Sequence, residues 1–307
     1  MKKKNITRIA LTCTAALAGI GIYNKLKPIN FGDILIDGIP EKADDALRIM
    51  SFNLRYNDDK AGKVRDRSKI VCAILRQYAP DSFGTQEATG QWMNTLTETL
   101  GDMYDSVAVP RDTQGYKSER NAVFYLKDKY NLIDSGTIWL SETPEVPNTK
   151  IEGVGCHRIA TWAVLENKAT GYTYTHISTH LEHIIDEAKL IQVDVLISKI
   201  AELEKDGKVI CTGDFNSEPT SEVYSKMTAI LDDTRVSAVN SDGGTTFHDY
   251  GKFTENFEGA IDYIYVPEGT KVYTYKIIRN TVKNMYPSDH YPIVADIVIS
   301  DQNKSFA

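Results

Sequence analysis

The sequence predicts an α/β fold of the α+β kind, in which mixed β-sheets pack face to face with helices outside. Three observations carry that expectation. Short β-like runs alternate with amphipathic helices, and runs of successive strands then follow. At 307 residues, 42% apolar and 9% aromatic, the chain is long enough to bury a full core, which excludes wholesale disorder. No fixed-period repeat, low-complexity tract or composition shift interrupts it, so solenoid and linker-dominated readings fail and one domain is expected over 44–300.

The elements follow in order. Leu47 to Phe52 reads as a strand that ends at Asn53. Residues 65–78 carry Ile70, Val71, Ile74, Leu75 and Tyr78 at helical spacing, and Pro80-Asp81 closes that helix. A short apolar strand at 82–86 ends at Glu87, and a second helix is expected at 91–100. Strands are read at 106–109, 122–126, 131–140, 160–166 and 172–179, the last two joined as a hairpin through Lys168-Ala169-Thr170-Gly171. Residues 184–203 make a long helix with Leu190, Ile191, Val193, Leu196, Ile197 and Ile200 as its buried stripe. A strand at 208–212, a helix at 221–230 and strands at 260–266, 271–278 and 292–300 complete the domain.

Charge is uneven along this chain. Residues 1–27 hold six of the 35 basic residues and none of the 42 acidic ones, so the rest is markedly acidic although the formal net charge is −7. An acidic body argues against adhesion to nucleic acid or anionic lipid by global electrostatics and suits a protein that gathers carboxylates around a cation. Residues 1–8 are cationic, 9–23 are mostly apolar, and Ala16-Leu17-Ala18 offers a small-residue cleavage site. This reads as an export signal over 1–27, followed by a linker at 28–43, with a tail at 301–307. An uncleaved anchor is the competing reading, although the apolar run is short against the roughly 20 residues a spanning helix needs. The domain is therefore expected outside the cytoplasm, secreted or membrane-anchored, with membrane contact only through this segment. Cys13, Cys72, Cys156 and Cys211 make no CxxC, which points to buried thiols rather than a zinc cluster or disulfide framework.

Six polar clusters follow or interrupt apolar runs: Phe52-Asn53, Gln86-Glu87, Ser178-Thr179-His180-Leu181-Glu182-His183, Gly213-Asp214-Phe215-Asn216, Ile261-Asp262-Tyr263 and Ser288-Asp289-His290. Strand ends are where α/β proteins place sites. Each cluster alone has an ordinary explanation: a turn-forming Asn, a solvated Glu, an Asx-turn over Gly213-Asp214-Phe215-Asn216, a structural His. Their joint placement is the stronger signal.

With GDFN at 213–216, IDYIYV at 261–266 and SDHYP at 288–292, the chain resembles the endonuclease/exonuclease/phosphatase family, metal-dependent phosphoesterases that include pancreatic deoxyribonuclease, over residues 48–298. The resemblance implies a four-layer α/β-sandwich with one site at the top of its two sheets. It implies Glu87 as principal ligand of Mg²⁺ or Mn²⁺, with Asn53 and Asp289 beside it, all hard oxygen donors. It implies further that Asp214 orients or deprotonates the attacking water, Asn216 steadies the phosphate, and His290 paired with Asp262 offsets developing charge. His180, paired with Glu119, would be a second histidine–carboxylate couple. His183 stays outside this set. The expected substrate is a phosphate ester, a phosphodiester or nucleic acid first; a phosphomonoester, a phospholipid head group and a non-catalytic surface binding module stay open. A monomer is expected. The chain departs from the family's Asn-Thr-His-Leu-Asp-His at Ser178 and Glu182, which changes reach in that loop. Arg111, Lys117 and Arg120 offer either a small rim for an anionic substrate or a solvated loop, and the basic loop that duplex binders use is missing.

Overall fold

Strand alternation sorts the side chains of this protein into layers. In β1 (Leu47–Asn53), Met50 and Phe52 point to one face and pack with Ile70, Ile74, Trp92 and Leu96 of helices α1 (Val64–Tyr78) and α2 (Gly90–Leu100). Ile49 points to the other, where it joins Ile293, Ala295 and Ile297 of β13 (Ile293–Val298) against Ile210, Ile264 and Val266 of the opposite sheet. A third apolar cluster sets Ile177, Val209, Cys211, Tyr263 and Tyr265 against Val193, Leu196 and Ile200 of α3 (Asp186–Leu203). Helix, sheet, sheet, helix is the resulting order, the four-layer sandwich that was expected. Each large apolar side chain fully buried in these layers contributes about 1.5–3 kcal/mol before its ordering entropy is counted.

The computed structural model describes residues 34–56, 63–205, 207–253 and 259–299, and the leader read over 1–27 and the tail over 301–307 lie outside them. The first sheet has seven strands. β10 (Asn240–Ser241), β12 (Lys271–Ile277) and β13 lie on one side of β1, and β2 (Ser82–Gln86), β4 (Ala122–Leu126) and β3 (Tyr104–Val107) on the other. The second sheet runs β5 (Tyr130–Trp139), β6 (Ile159–Asn167), β7 (Thr173–His180), β8 (Lys208–Asp214), β11 (Asp262–Pro267) and β9 (Leu231–Asp233). Among the described residues no helix is long and apolar enough to cross a membrane.

A polar seam joins the two sheets at their centre. His176, fully buried, bonds Ser82 Oγ through Nδ1 at 2.7 Å and Thr212 Oγ1 through Nε2 at 2.9 Å. Gly84 is required beside it, because a Cβ there would stand 2.2 Å from Thr212 Oγ1.

Register then sets the functional edge. Parallel pairing puts Asn53 beside Gln86, and His180 beside Asp214. β11 is antiparallel to β8, so its first residue, Asp262, lies opposite Asp214. β13 is antiparallel to β1, which brings the preceding Ser288-Asp289-His290 segment to the same end.

Several expectations shift. Ile191 is exposed and the inward face of α3 instead uses Lys189, Gln192 and Lys199, whose long stems lie along the apolar surface. The strand expected at 106–109 is formed by Tyr104–Val107. The helix read over 221–230 is α4 (Glu222–Thr228), with Ser221 as N-cap accepting from the Tyr224 N–H at 3.1 Å. β9, α5 (Thr234–Ser237) and β10 have no counterpart among the expected elements, since two to four residues show no period. Cys72 and Cys211 are buried free thiols as expected, and Cys156 is a half-buried one.

Candidate active site

Asn53, Glu87, His180, Asp214, Asp262, Asp289 and His290 are all buried at one edge of the sandwich. They converge around a cavity of about 470 Å³ whose lining includes Glu87, His180, Asp214, Asn216 and His290.

Asp214, the last residue of β8, is the hub. Its Oδ1 accepts from the Asn216 N–H at 3.0 Å, so the Asx-turn does form. Its Oδ2 is left for chemistry: Asn53 Nδ2 donates to it at 2.9 Å, and His180 Nε2 and His290 Nε2 lie 3.5 and 3.6 Å away. The turn therefore aims the second oxygen, and the two readings of this motif are one device. Asn216 at φ +48° and Glu87 at φ +57° both hold left-handed backbone, a strain of about 1–3 kcal/mol each that surrounding contacts must offset.

The His290–Asp262 pair is present, Nδ1 to Oδ2 at 2.9 Å. Burial alone would push His290 down, but Asp262, Asp214 and Asp289 outweigh it and raise the imidazolium to about 10. Burial, then the neighbouring Asp262, pushes Asp214 up against the pull of His290. His290 therefore carries the shared proton.

The His180–Glu119 pair is not formed. His180 Nδ1 is buried without a hydrogen-bond partner, and Glu119 is clasped by Arg111, with Nη1 and Nη2 each 2.8 Å from a carboxylate oxygen. The loop explains the exchange. Arg111 and Glu119 face each other where it closes, the Arg111 N–H bonding the Glu119 carbonyl at 3.0 Å, so the guanidinium fork meets the carboxylate before any imidazole can. Burial, followed by Arg158 and Arg111, holds His180 well below the ordinary histidine range, which makes it a neutral imidazole. Of the expected rim, Arg111 lines the cavity while Lys117 and Arg120 do not.

Arg158 and Arg55 line the cavity and were not singled out from the sequence. The signal existed: Arg158 immediately precedes the Ile159–Asn167 strand, as other site residues flank theirs, and Arg55 stands two residues beyond Asn53. Arg158 Nε lies 3.6 Å from Glu182 Oε2, so the departure at Glu182 supplies a longer arm to a buried arginine. Arg158 also donates to His183 Nδ1 at 3.0 Å, which places His183 at the wall as a neutral acceptor; burial, then Arg158, lowers it.

Charge accounting in this edge identifies what it can hold. Among the described residues, Arg111 pairs with Glu119, Arg158 with Glu182 and His290 with Asp262, while Arg55 is shared between Asp289 Oδ2 at 3.4 Å and Glu87 Oε1 at 4.0 Å. Carboxylates therefore outnumber cations among these groups, and Glu87 and Asp214 are joined through Asn53, whose Nδ2 also donates to Glu87 Oε1 at 3.2 Å. Glu87, Asp214 and Asp289, three buried carboxylates that share fewer positive charges than they carry, are a hard-oxygen donor set that fits a divalent cation. Asp214, Asp262 and His290 also offer ligand atoms within 4.8 Å of one another.

A four-layer sandwich with a carboxylate- and histidine-lined cavity at one sheet edge defines a class of phosphoesterases. The chain belongs to the Endonuclease/Exonuclease/phosphatase family, whose sequence profile matches residues 50–290. Its fold is that of an endonuclease/exonuclease/phosphatase from Bacteroides vulgatus, with a TM-score of 0.78 and 31% identity over 83% of this chain and 99% of that one. It is similar to a mannosyl-6-phosphatase from Bacteroides thetaiotaomicron, with a TM-score of 0.76 and 28% identity over 82% of this chain and 100% of that one. It is also 22% identical to the CCR4-Not complex 3'-5'-exoribonuclease subunit Ccr4 of Phaeosphaeria nodorum over 88% of this chain, and spans 62% of that protein's length.

Proposed function

We propose that this protein is a Mg²⁺- or Mn²⁺-dependent hydrolase of phosphate esters, acting on a small ester seated in the cavity. The observation that carries the reading is Asp214 Oδ2, buried and met by Asn53 at 2.9 Å with His180 and His290 within 3.6 Å. Glu87, Asp289 and Asn53 would hold the cation, which supplies Lewis-acid polarisation of a phosphoryl oxygen when bound. Asp214 orients the attacking water and takes its proton. Protonated His290, fixed by Asp262, donates through Nε2 to a phosphoryl oxygen as negative charge develops. His180 acts as a neutral hydrogen-bonding group, and Asn216 braces the Asp214 turn through Nδ2 to the Leu181 carbonyl at 3.1 Å. Glu119 holds Arg111 at the cavity wall.

Two features favour a compact substrate. The cavity is about 470 Å³, and the arginines on its wall are each met by a carboxylate rather than arrayed along a phosphate track. The likeness to a mannosyl-6-phosphatase agrees with a phosphomonoester. The likeness to an exoribonuclease keeps the phosphodiester and nucleic-acid reading in play. A complete set of site residues weighs against a binding module without turnover. Export through the leader and a monomeric state belong to this proposal on sequence grounds alone; fractionation of the native host and light scattering test them.

The test is a panel of 4-nitrophenyl phosphate, bis(4-nitrophenyl) phosphate, a hexose 6-phosphate and an RNA oligonucleotide, with EDTA and with added Mg²⁺ or Mn²⁺. Hydrolysis should vanish with the chelator and return with the metal, most strongly for a monoester. Turnover indifferent to EDTA refutes the metal reading, and rapid cleavage of RNA with none of the small esters refutes the compact substrate.

A further inference from the structure

Arg67 lies on α1 behind the site, and among the described residues its guanidinium meets backbone carbonyls. It is about 1% exposed, so its guanidinium has been taken fully out of water. Nη1 donates to the Leu54 carbonyl at 2.6 Å and to the Pro287 carbonyl at 3.0 Å, and Nη2 to the Arg55 and Tyr56 carbonyls at 2.9 and 3.1 Å. Its carbon centre stands 5.1 Å from the Trp92 ring, and the Trp92 indole N–H itself donates to the Arg55 carbonyl at 2.9 Å.

These carbonyls belong to two chain segments that are distant in sequence. Leu54, Arg55 and Tyr56 follow Asn53; Pro287 precedes Asp289 by two residues. The same first segment also meets Glu87, since the Tyr56 N–H donates to Glu87 Oε2 at 2.9 Å, and it fixes Asn53 through the Arg55 N–H on Oδ1, also at 2.9 Å. One guanidinium thus stands behind all three side chains proposed to hold the cation.

We infer that Arg67, seated on Trp92, is a positioning residue that sets the spacing of Asn53, Glu87 and Asp289 and thereby the affinity for the divalent cation; this rests on the metal reading given above. The guanidinium fork suits this position, because its two terminal nitrogens reach carbonyls of both segments while its carbon centre stands over the indole ring. A lysine ammonium has three donors at a point and cannot span that set. Groups that orient metal ligands from behind typically govern affinity by about 10–100-fold.

The experiment is Mn²⁺ binding, followed by calorimetry and by electron paramagnetic resonance, on the parent, Arg67→Lys, Trp92→Phe and the exposed control Arg65→Gln. Arg67→Lys should weaken Mn²⁺ binding about tenfold, raise the half-saturating Mg²⁺ for turnover in parallel, and recover most of kcat at saturating metal. Trp92→Phe keeps the ring face, loses one donor, and should weaken binding about threefold; Arg65→Gln should match the parent. A folded Arg67→Lys protein that binds Mn²⁺ within threefold of the parent overturns the inference. If that variant does not fold, Trp92→Phe decides, and binding equal to the parent's overturns it. A parent that takes up no Mn²⁺ overturns the metal reading itself, a result distinguishable from failure of the Arg67 inference alone.

Discussion

The two ends of β2 carry two buried carboxylates with opposite characters. Asp81, just before the strand, is fully buried and meets the Lys42 and Lys129 ammonium groups, the Tyr130 hydroxyl at 3.1 Å and the Arg48 N–H at 2.8 Å. Burial alone would raise it, but those partners prevail and hold it below the ordinary carboxylate range. Glu87, just after the strand, sits on strained backbone, meets the Tyr56 N–H and a distant Arg55 guanidinium, and shares the Asn53 amide with Asp214, itself driven upward by burial. Burial is common to both ends, so it does not distinguish a site. What distinguishes it is negative charge that exceeds the cations around it, held in place by backbone that needs support.

The largest expected effect tests the working end. Asp214→Asn keeps the shape and removes the charge, so it should lower kcat on the best panel substrate by about three orders of magnitude while circular dichroism stays unchanged. A loss below tenfold would mean that Asp214 is no more functional than Asp81. Asp81→Ala sharpens the contrast from the other side. Its lysine partners can turn to water, which discounts the ion pairs, so the lost hydrogen bonds should cost about 2 kcal/mol of stability in urea. Activity of the folded fraction should not change; a drop in kcat would erase the distinction between the two ends.

A further effect, seen only as pH falls, concerns the seam between them. Burial lowers His176 to about 3 in the folded protein against 6.5 in the unfolded chain. The unfolded state therefore binds the extra proton as pH falls below 6.5. Stability from this residue is fully present above that value and declines towards pH 3, by up to about 1.4 kcal/mol per pH unit. His176→Gln should flatten that part of the stability curve, measured by denaturant titration at several pH values. A slope unchanged from the parent would show that His176 is not the group responsible.

Much of the site was legible in the sequence because its side chains sit where apolar runs stop. The Asp214–Asn216 spacing encodes its own turn, and Asp262 and His290 lie in short motifs that resemble the family's. Glu119 was misread for a physical reason: its partner is chosen by loop closure, which set Arg111 opposite it. Arg67 escaped notice because a single arginine in an amphipathic helix carries no pattern, and Arg158 because only its place just before a strand marked it. Ile191 went wrong because a stripe drawn from apolar letters ignores lysine stems that can cover the same surface.

The sequence by itself determined the class of fold, the strands that bear the site and most of the groups at their ends, since period and strand-end polarity are local properties of a chain. Only the tertiary structure decided which charges neutralise one another, and hence that carboxylates outnumber cations around Glu87, Asp214 and Asp289. Pairing depends on distances across two sheets and several loops, and electrostatic energy inside a protein changes steeply with those distances.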